Sequence, residues 1–266
     1  MSDSLEKFWK EFYKHTEGAS NSGLPTIFRG VSKKKYKLIP SIGRDTENGT
    51  HGDINTLENN LITEFKRLSI PELKNVPKLD IEWLFLAQHY GLPTRLLDWS
   101  SNPMVGLFFA VCGNDDIDGA LYIAKHQVTD QYERYDYKTA DITEEERKIP
   151  ISQVFGIPDQ GTVIFSRPKY TDQRYINQKS VFSCPADPFK PLEIEHCIKL
   201  IIKHEHKIDI RNMLKTMGIS HSYIYPGLGG IAKEIKSQEF TPITTGKTKI
   251  ISIKMELAMP SNIKNT

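Results

Sequence analysis

The chain has 266 residues, of which 38% are hydrophobic, and its 35 basic and 33 acidic residues give a formal net charge of +2. These values suit a globular protein of one large domain or two small ones, and the near balance of charge excludes a general polyanion binder while leaving room for a local basic patch. Three cysteines without paired spacing, and no signal-peptide or membrane-span pattern, predict free thiols, a cytoplasmic location and no membrane partner.

The first third of the chain is predicted to contain two helices and a strand. The spacing of acidic and apolar residues predicts an N-terminal helix within residues 1–20. Residues 26–31, TIFRGV, favour a strand because β-branched and aromatic residues are bounded by Gly and Pro. Residues 41–53 have the composition of a loop. A second helix is predicted over residues 55–69, with an apolar face formed by Leu57, Leu61, Phe65 and Leu68.

The middle of the chain joins two predicted helices through a polar stretch. Asp80 can cap the first helix, which should end at Gly91. Residues 94–99 are predicted to be extended because of the restrictions around the preceding proline. The second helix, over residues 103–111, is apolar on nearly all sides, so we expect it to be buried.

The second half of the chain is predicted to be rich in strands. Residues 119–125 favour a strand, residues 126–150 form a charged insertion that we interpret as solvated, and residues 258–266 are expected to be a frayed tail. We predict one α+β domain in which helices surround a central antiparallel or mixed sheet. Further strands are predicted over residues 161–166, 179–184, 196–205 and 248–257, and further helices over residues 208–218 and 228–238.

The polar stretch at residues 88–102 has a functional and a structural interpretation. A strand-to-helix turn exposes backbone N–H groups at the positive end of the helix dipole, which suits a phosphate or carboxylate ligand. In the structural interpretation, Ser101 or Asn102 only caps the helix, while Arg95 and Asp98 form an ion pair.

Two further arginines are candidates for ligand binding. Arg29 lies on a mostly apolar strand and cannot lose its charge, so it needs a phosphate or a carboxylate, and Glu64 is a candidate internal partner. Arg174 precedes Gln178 in a segment that we interpret as a polar loop entering a strand. An amide such as that of Gln178 cannot act as an acid or base at neutral pH.

Five segments taken in order resemble the FRG domain: IFRG, ITEFKRLS, QHYGLPTRLLDWSSNPMVGLFFAV, RYINQKSVFS and GISHSYIYPGLGGIAKEI. The resemblance spans residues 24–236 and depends mainly on the long run from His89 to Trp99. FRG domains occur in bacterial and mobile-element proteins, and the resemblance implies that its motif residues share one polar cleft. These residues are Arg29, Glu64, Gln88, His89, Thr94, Arg95, Asp98, Trp99, Arg174 and Gln178.

A second similarity is to ADP-ribosyltransferases of the Arg–Ser–Glu class, and it implies a transferase-like core with NAD as the cofactor. Arg29 would hold the pyrophosphate, Ser100 would order the nicotinamide-ribose side, and Gln178 stands where the class has its catalytic acid. Glu64, Asp98 or His89 would then supply the missing charge, or the site would bind a nucleotide without turnover. The cofactor-binding set is Arg29, Gly30, Gln88, Thr94, Arg95, Trp99, Ser100, Ser101 and Arg174.

These resemblances lead to two functional hypotheses. The first is a protein that binds NAD or a related nucleotide and transfers or hydrolyses ADP-ribose as a toxin or antiphage effector. The second is a non-catalytic module that recognises nucleic acid or a protein through the same cleft, using Arg29, Arg95 and Arg174. No metal is expected, because His204 and His206 have no further grouped His or Cys.

Overall fold

A seven-stranded sheet organises the described part of the chain in the computed structural model. Its strands are β1 (Thr26–Val31), β2 (Leu97–Ser100), β3 (Gly119–Lys125), β4 (Tyr132–Asp136), β5 (Val163–Arg167), β6 (Ser180–Pro185) and β7 (Ile198–Ile202). The spatial order is β4-β5-β6-β2-β1-β3-β7. The structure describes residues 3–17, 26–45, 54–77, 80–125, 132–136, 163–168, 172–185, 187–194 and 196–245.

Nine helices accompany these strands in the described ranges. They are α1 (Asp3–Thr16), α2 (Ser41–Asp45), α3 (Ile54–Ser69), α4 (Asp80–His89), α5 (Pro103–Val111), α6 (Gln173–Gln178), α7 (Lys207–Thr216), α8 (His221–Ile224) and α9 (Leu228–Thr245). Neighbouring strands are antiparallel except for β4 and β5, which run parallel. The predicted α+β fold with a mixed sheet and surrounding helices is therefore confirmed. None of these helices combines the length and apolar character needed to cross a membrane.

The two faces of the sheet bury separate hydrophobic clusters, because successive side chains of a strand point to opposite faces. Phe28 and Leu121 contribute to the first cluster, which includes apolar residues of α1, α5 and α7. Ile27 and Trp99 belong to the second cluster, which the segments around Leu38 and Leu192 help to cover. A third cluster joins α4 to Leu96, Tyr175, Phe182 and Cys184.

Close packing of α5 on β1 depends on glycine. A Cβ added to Gly30 would overlap the backbone oxygen of Gly106 and the backbone nitrogen of Ala110. The helix can approach the strand this closely only where a side chain is missing. Gly30 therefore has a packing role that the sequence-based assignment to cofactor binding did not anticipate.

Local signals predicted several element bounds correctly. The strand at residues 119–125 and the buried helix at residues 103–111 have the predicted bounds. All three cysteines are free thiols, as expected. The predicted strand at 248–257 and the predicted tail at 258–266 lie outside the described residues.

The segments predicted as a loop and as a solvated insertion each contain a regular element. Within the predicted loop at residues 41–53, Ser41–Asp45 forms α2, whose Ile42 is 1% exposed, so burial stabilises this short helix. Within the insertion at residues 126–150, Tyr132–Asp136 forms β4 and pairs with β5, so this part of the insertion belongs to the sheet.

Two predictions in the C-terminal half also need correction. Arg174 and Gln178 lie in helix α6 rather than in a loop, because the side chain of Asp172 caps the helix by accepting a hydrogen bond from the Arg174 N–H. The strand predicted at 196–205 ends at Ile202. A 3-10 turn over His204–His206 follows, and its first N–H donates to Asp118 Oδ1 over 3.0 Å.

Candidate functional site

The site forms where β1 and β2 stop pairing. The ladder between these strands consists of Phe28 opposite Ser100, whereas β1 pairs with β3 along its whole length. Beside the end of this short ladder, Arg29 Nη1 donates a hydrogen bond of 2.5 Å to the backbone oxygen of Asp98 and lies 3.9 Å from Asp98 Oδ2. Arg29 thus connects the two strands where their backbone pairing ends.

The guanidinium of Arg29 is an incompletely neutralised cation. Its side chain is 14% exposed, and no residue that the structure describes accepts a hydrogen bond from its Nε. Burial lowers the pKa of Arg29, the charge of Arg44 acts in the same direction, and Asp98 opposes the shift. Because arginine stays charged in proteins, this position favours an additional anion.

A chain of side-chain hydrogen bonds holds the Asp98 carboxylate. Gln88 Nε2 donates to Asp98 Oδ2 over 2.8 Å, and Thr94 Oγ1 donates to Gln88 Oε1 over 2.6 Å. The Leu96 N–H in turn donates to Thr94 Oγ1 over 3.1 Å. The Asp98 side chain is nevertheless 56% exposed. The carboxylate is therefore fixed in position and open to a ligand.

Aromatic and cationic side chains lie within electrostatic range of Asp98. Burial raises the pKa values of Tyr175 and Tyr225, and the negative charge of Asp98 adds to both shifts. Burial and the charge of Arg174 lower the pKa of His89, which favours a neutral imidazole. Arg174 Nη1 donates to the His89 backbone oxygen over 2.8 Å, and its guanidinium lies 5.1 Å from the centre of the Tyr225 ring.

Ser100 and Gln178 meet, but through the backbone. Ser100 Oγ donates to the backbone oxygen of Gln178 over 2.6 Å and accepts a hydrogen bond from the Asn102 N–H over 2.9 Å. The side-chain amide of Gln178 donates to the backbone oxygen of Ile224 over 3.1 Å. The hydroxyl and the amide at these positions therefore both stabilise the protein itself.

The N-terminus of α5 is capped by the protein. Asn102 Oδ1 accepts a hydrogen bond of 2.9 Å from the Met104 N–H, which confirms one of the two predicted caps. Ser101 is exposed, and its N–H donates to the Lys179 backbone oxygen over 3.0 Å. Ser100 and Ser101 thus contact the last residue of α6 and the residue that follows it, respectively.

Three predicted site residues make other contacts. Arg95 pairs with Glu58 in the interior rather than with Asp98, and its N–H donates to Glu58 Oε1 over 2.9 Å. Glu64 pairs with Arg67 on α3 at 2.7 Å rather than with Arg29. Trp99 is buried, and its indole N–H donates to Ser183 Oγ over 2.8 Å.

Sequence reasoning missed Glu58, Asp172, Tyr175 and Tyr225. Glu58 was hidden because the predicted apolar face of α3 is wrong at both ends: Leu57 is 39% and Leu68 is 62% exposed, whereas Glu58 is 7% exposed. The spacing of Glu58, Ile62 and Phe65 was the available signal, since it defines the more buried face of this helix. In the ranges that the structure describes, His, Cys, Asp and Glu form no group of three able to hold a metal ion.

Comparison with known proteins supports the FRG resemblance over part of the chain. Residues 25–119 match the family model described as the FRG domain. This range contains Arg29, Gln88, Asp98 and Ser100, whereas Arg174 lies beyond it. No curated protein and no solved structure matches the chain.

Proposed function

We propose that the chain binds NAD or a related nucleotide beside the contact of Arg29 with Asp98. The observation that carries this proposal is the half-buried, incompletely neutralised guanidinium of Arg29 next to an exposed carboxylate that Gln88 holds in place. Arginine is well suited to phosphate groups because its planar donors match their oxygens. A pyrophosphate would supply the anion that this position favours.

We further propose that Asp98 supplies the negative charge that the neutral amide of Gln178 cannot provide. Of the carboxylates considered from the sequence, Glu64 is engaged by Arg67, whereas Asp98 is fixed by Gln88 and exposed. A carboxylate here would stabilise positive charge that develops on the ribose as the glycosidic bond breaks. The nicotinamide would leave with the bonding electron pair, and water or another acceptor would add to the ribosyl carbon and release a proton.

The surroundings of Asp98 support a nucleotide as the ligand class. Arg174 and Lys233 lie 5.1 Å and 4.4 Å from the centre of the Tyr225 ring, so positive charge is available on a second side of the site. His89 would remain neutral there, because its pKa is lowered by burial and by Arg174. The proposed roles as a toxin or antiphage effector and the proposed cytoplasmic location rest on the resemblance to the FRG domain and on the free thiols.

Titration calorimetry with NAD, ADP-ribose and AMP tests this proposal. Replacing Arg29 with Gln should weaken binding at least about tenfold, which corresponds to about 1.4 kcal/mol. Arg29→Lys, which keeps the positive charge, should recover part of the affinity. The matched control, Glu64→Gln, should bind as the unchanged protein does. Absence of binding by the unchanged protein, or equal affinity of the Arg29→Gln variant, would overturn the proposal.

NAD hydrolysis by the same variants tests the role of Asp98. Asp98→Asn should keep the affinity for ADP-ribose within about threefold and lower kcat by about a hundredfold, since it removes a charge that acts mainly in the transition state. If the unchanged protein binds NAD but does not turn it over, the site binds a nucleotide without catalysis.

The presence of Gln178 in place of an acid favours an alternative, a non-catalytic module that binds nucleic acid or a protein through the same site. Of the three arginines assigned to that function, Arg95 is buried against Glu58, so Arg29 and Arg174 would carry it. Loss of partner binding in Arg174→Ala, together with absence of NAD binding by the unchanged protein, would support this alternative.

A further inference from the structure

Two lysine-rich segments outside the candidate site contact each other. Residues 33–37, KKKYK, and residues 198–203, IKLIIK, together contain six lysines and no acidic residue. Lys199 Nζ donates to the Lys34 backbone oxygen over 2.7 Å, which joins the loop after β1 to strand β7. The lysine surface consists of Lys33, Lys34, Lys35, Lys37, Lys199 and Lys203.

The lysine side chains of this surface are mostly exposed. Five of its six lysines are exposed, and Lys33 is half-buried with its Nζ 5.8 Å from the centre of the Tyr36 ring. Lys199 similarly lies 5.0 Å from the centre of the Tyr122 ring. Tyr122 Oη donates to the Tyr36 backbone oxygen over 2.7 Å, so the two rings and their lysines form one connected structure.

Asp118 is the carboxylate that the lysine surface contacts within the described residues. Its Oδ2 lies 3.0 Å from Lys34 Nζ and 3.5 Å from Lys203 Nζ, so two cations share one oxygen. The His204 N–H and Lys34 hold the pKa of Asp118 well below its usual range, and the Asp118 side chain is 9% exposed. One carboxylate charge against six lysines leaves most of the positive charge of the surface uncompensated.

The remaining lysines keep the local charge positive. Among residues that the structure describes, no carboxylate lies within 4.0 Å of the ammonium groups of Lys33, Lys35 and Lys37. The whole chain has a formal net charge of only +2, so this surface is a local concentration of positive charge. Exposed lysines act as point charges for phosphate groups and need no precise geometry.

We propose that the lysine surface binds the phosphate backbone of a nucleic acid. An extended polyanion matches positive charges that are spread over a loop and a sheet edge, whereas a single nucleotide would contact only a few of them. Protection of the edge strand β7 against pairing with other strands could explain Lys199, but it does not explain the lysines of residues 33–37. This inference is independent of the proposed nucleotide site.

The test measures the fluorescence anisotropy of labelled single-stranded and double-stranded oligonucleotides of about 20 nucleotides, between about 50 and about 200 mM salt. The variant Lys33→Gln, Lys35→Gln, Lys37→Gln spares the lysines that make backbone or carboxylate contacts. Its affinity at low salt should fall about tenfold or more, and the slope of log affinity against log salt should decrease in magnitude by about 2 to 3.

A control with the same change of net charge separates the surface from overall charge. Lys7, Lys10 and Lys14 are exposed on α1, and their triple replacement by Gln should change the affinity by less than about twofold. Equal losses in both triple variants, or no binding at low salt, would overturn the proposal. Binding of an acidic polypeptide but not of either oligonucleotide would also overturn it, by identifying a protein partner instead.

Discussion

Glu58 and Arg95 form a buried ion pair between α3 and the segment that leads into β2. Arg95 Nε contacts Glu58 Oε2, and the Arg95 backbone N–H donates to Glu58 Oε1 over 2.9 Å. The side chain of Arg95 is 6% exposed and that of Glu58 is 10% exposed. Removing one partner of such a pair destabilises a protein strongly, because the charge of the other partner stays buried. The pair thus helps to position the strand that carries Asp98.

Replacing Glu58 with Ala should lower the free energy of unfolding by about 3–5 kcal/mol, because the buried guanidinium of Arg95 would lose the carboxylate charge of Glu58. Urea unfolding followed by circular dichroism measures this loss. Glu64→Ala is the matched control, since Glu64 and Arg67 form an exposed pair on the same helix, and its unfolding midpoint should not shift measurably. Equal losses in the two variants would contradict the structural role assigned to Glu58.

The sequence predicted elements best where local signals determine them. The start of α5 follows from the cap at Asn102 and from Pro103 at the first helical position. By contrast, α6 has six residues and α8 has four, too few for a helical repeat of apolar residues. These short helices are stabilised by caps and by tertiary contacts, such as the hydrogen bond from Asn177 Nδ2 to the Tyr223 backbone oxygen.

The candidate site was also predicted best where local sequence determines the contacts. Gln88, Thr94 and Asp98 are close in sequence, and they form one hydrogen-bonded chain in the structure. The partners of Arg29 and Arg95 were predicted wrongly, because the choice between several carboxylates depends on which helix face is buried. That choice is made by tertiary packing, and the sequence offered only a weak signal for it.

Gly30→Ala should destabilise the protein by about 1–3 kcal/mol or more, because the added Cβ would meet the α5 backbone and force the helix away from β1. Gly229→Ala is the matched control. A Cβ at Gly229 meets nothing within 4 Å, and alanine favours a helix over glycine, so stability should rise by up to about 1 kcal/mol. Thermal unfolding of both variants checks the prediction, and a neutral Gly30→Ala variant would contradict it.

Gln178→Glu should not create a conventional catalytic acid. The Gln178 amide donates to the Ile224 backbone oxygen, and a carboxylate at this position would repel that oxygen instead. We expect a loss of about 1–3 kcal/mol in stability and no increase in NAD hydrolysis. Thermal unfolding and a nicotinamide-release assay measure the two effects. Gln173→Glu, at an exposed position of the same helix, serves as the control. A more active and equally stable variant would contradict this prediction.

Stability should fall as the pH decreases from about 7.5 to about 5.5, because His89 and His221 are half-buried and partial burial lowers their pKa values in the folded protein. The unfolded chain, with imidazole pKa values near 6.5, binds more protons than the folded chain in the window below about 6.5. The contribution of both histidines is therefore fully present above that window and is lost as the pH falls through it. Replacing both with Gln should flatten the pH dependence of the urea midpoint. Titration of the imidazole proton resonances by nuclear magnetic resonance checks the cause, and a pKa at or above 6.5 for both residues would contradict it.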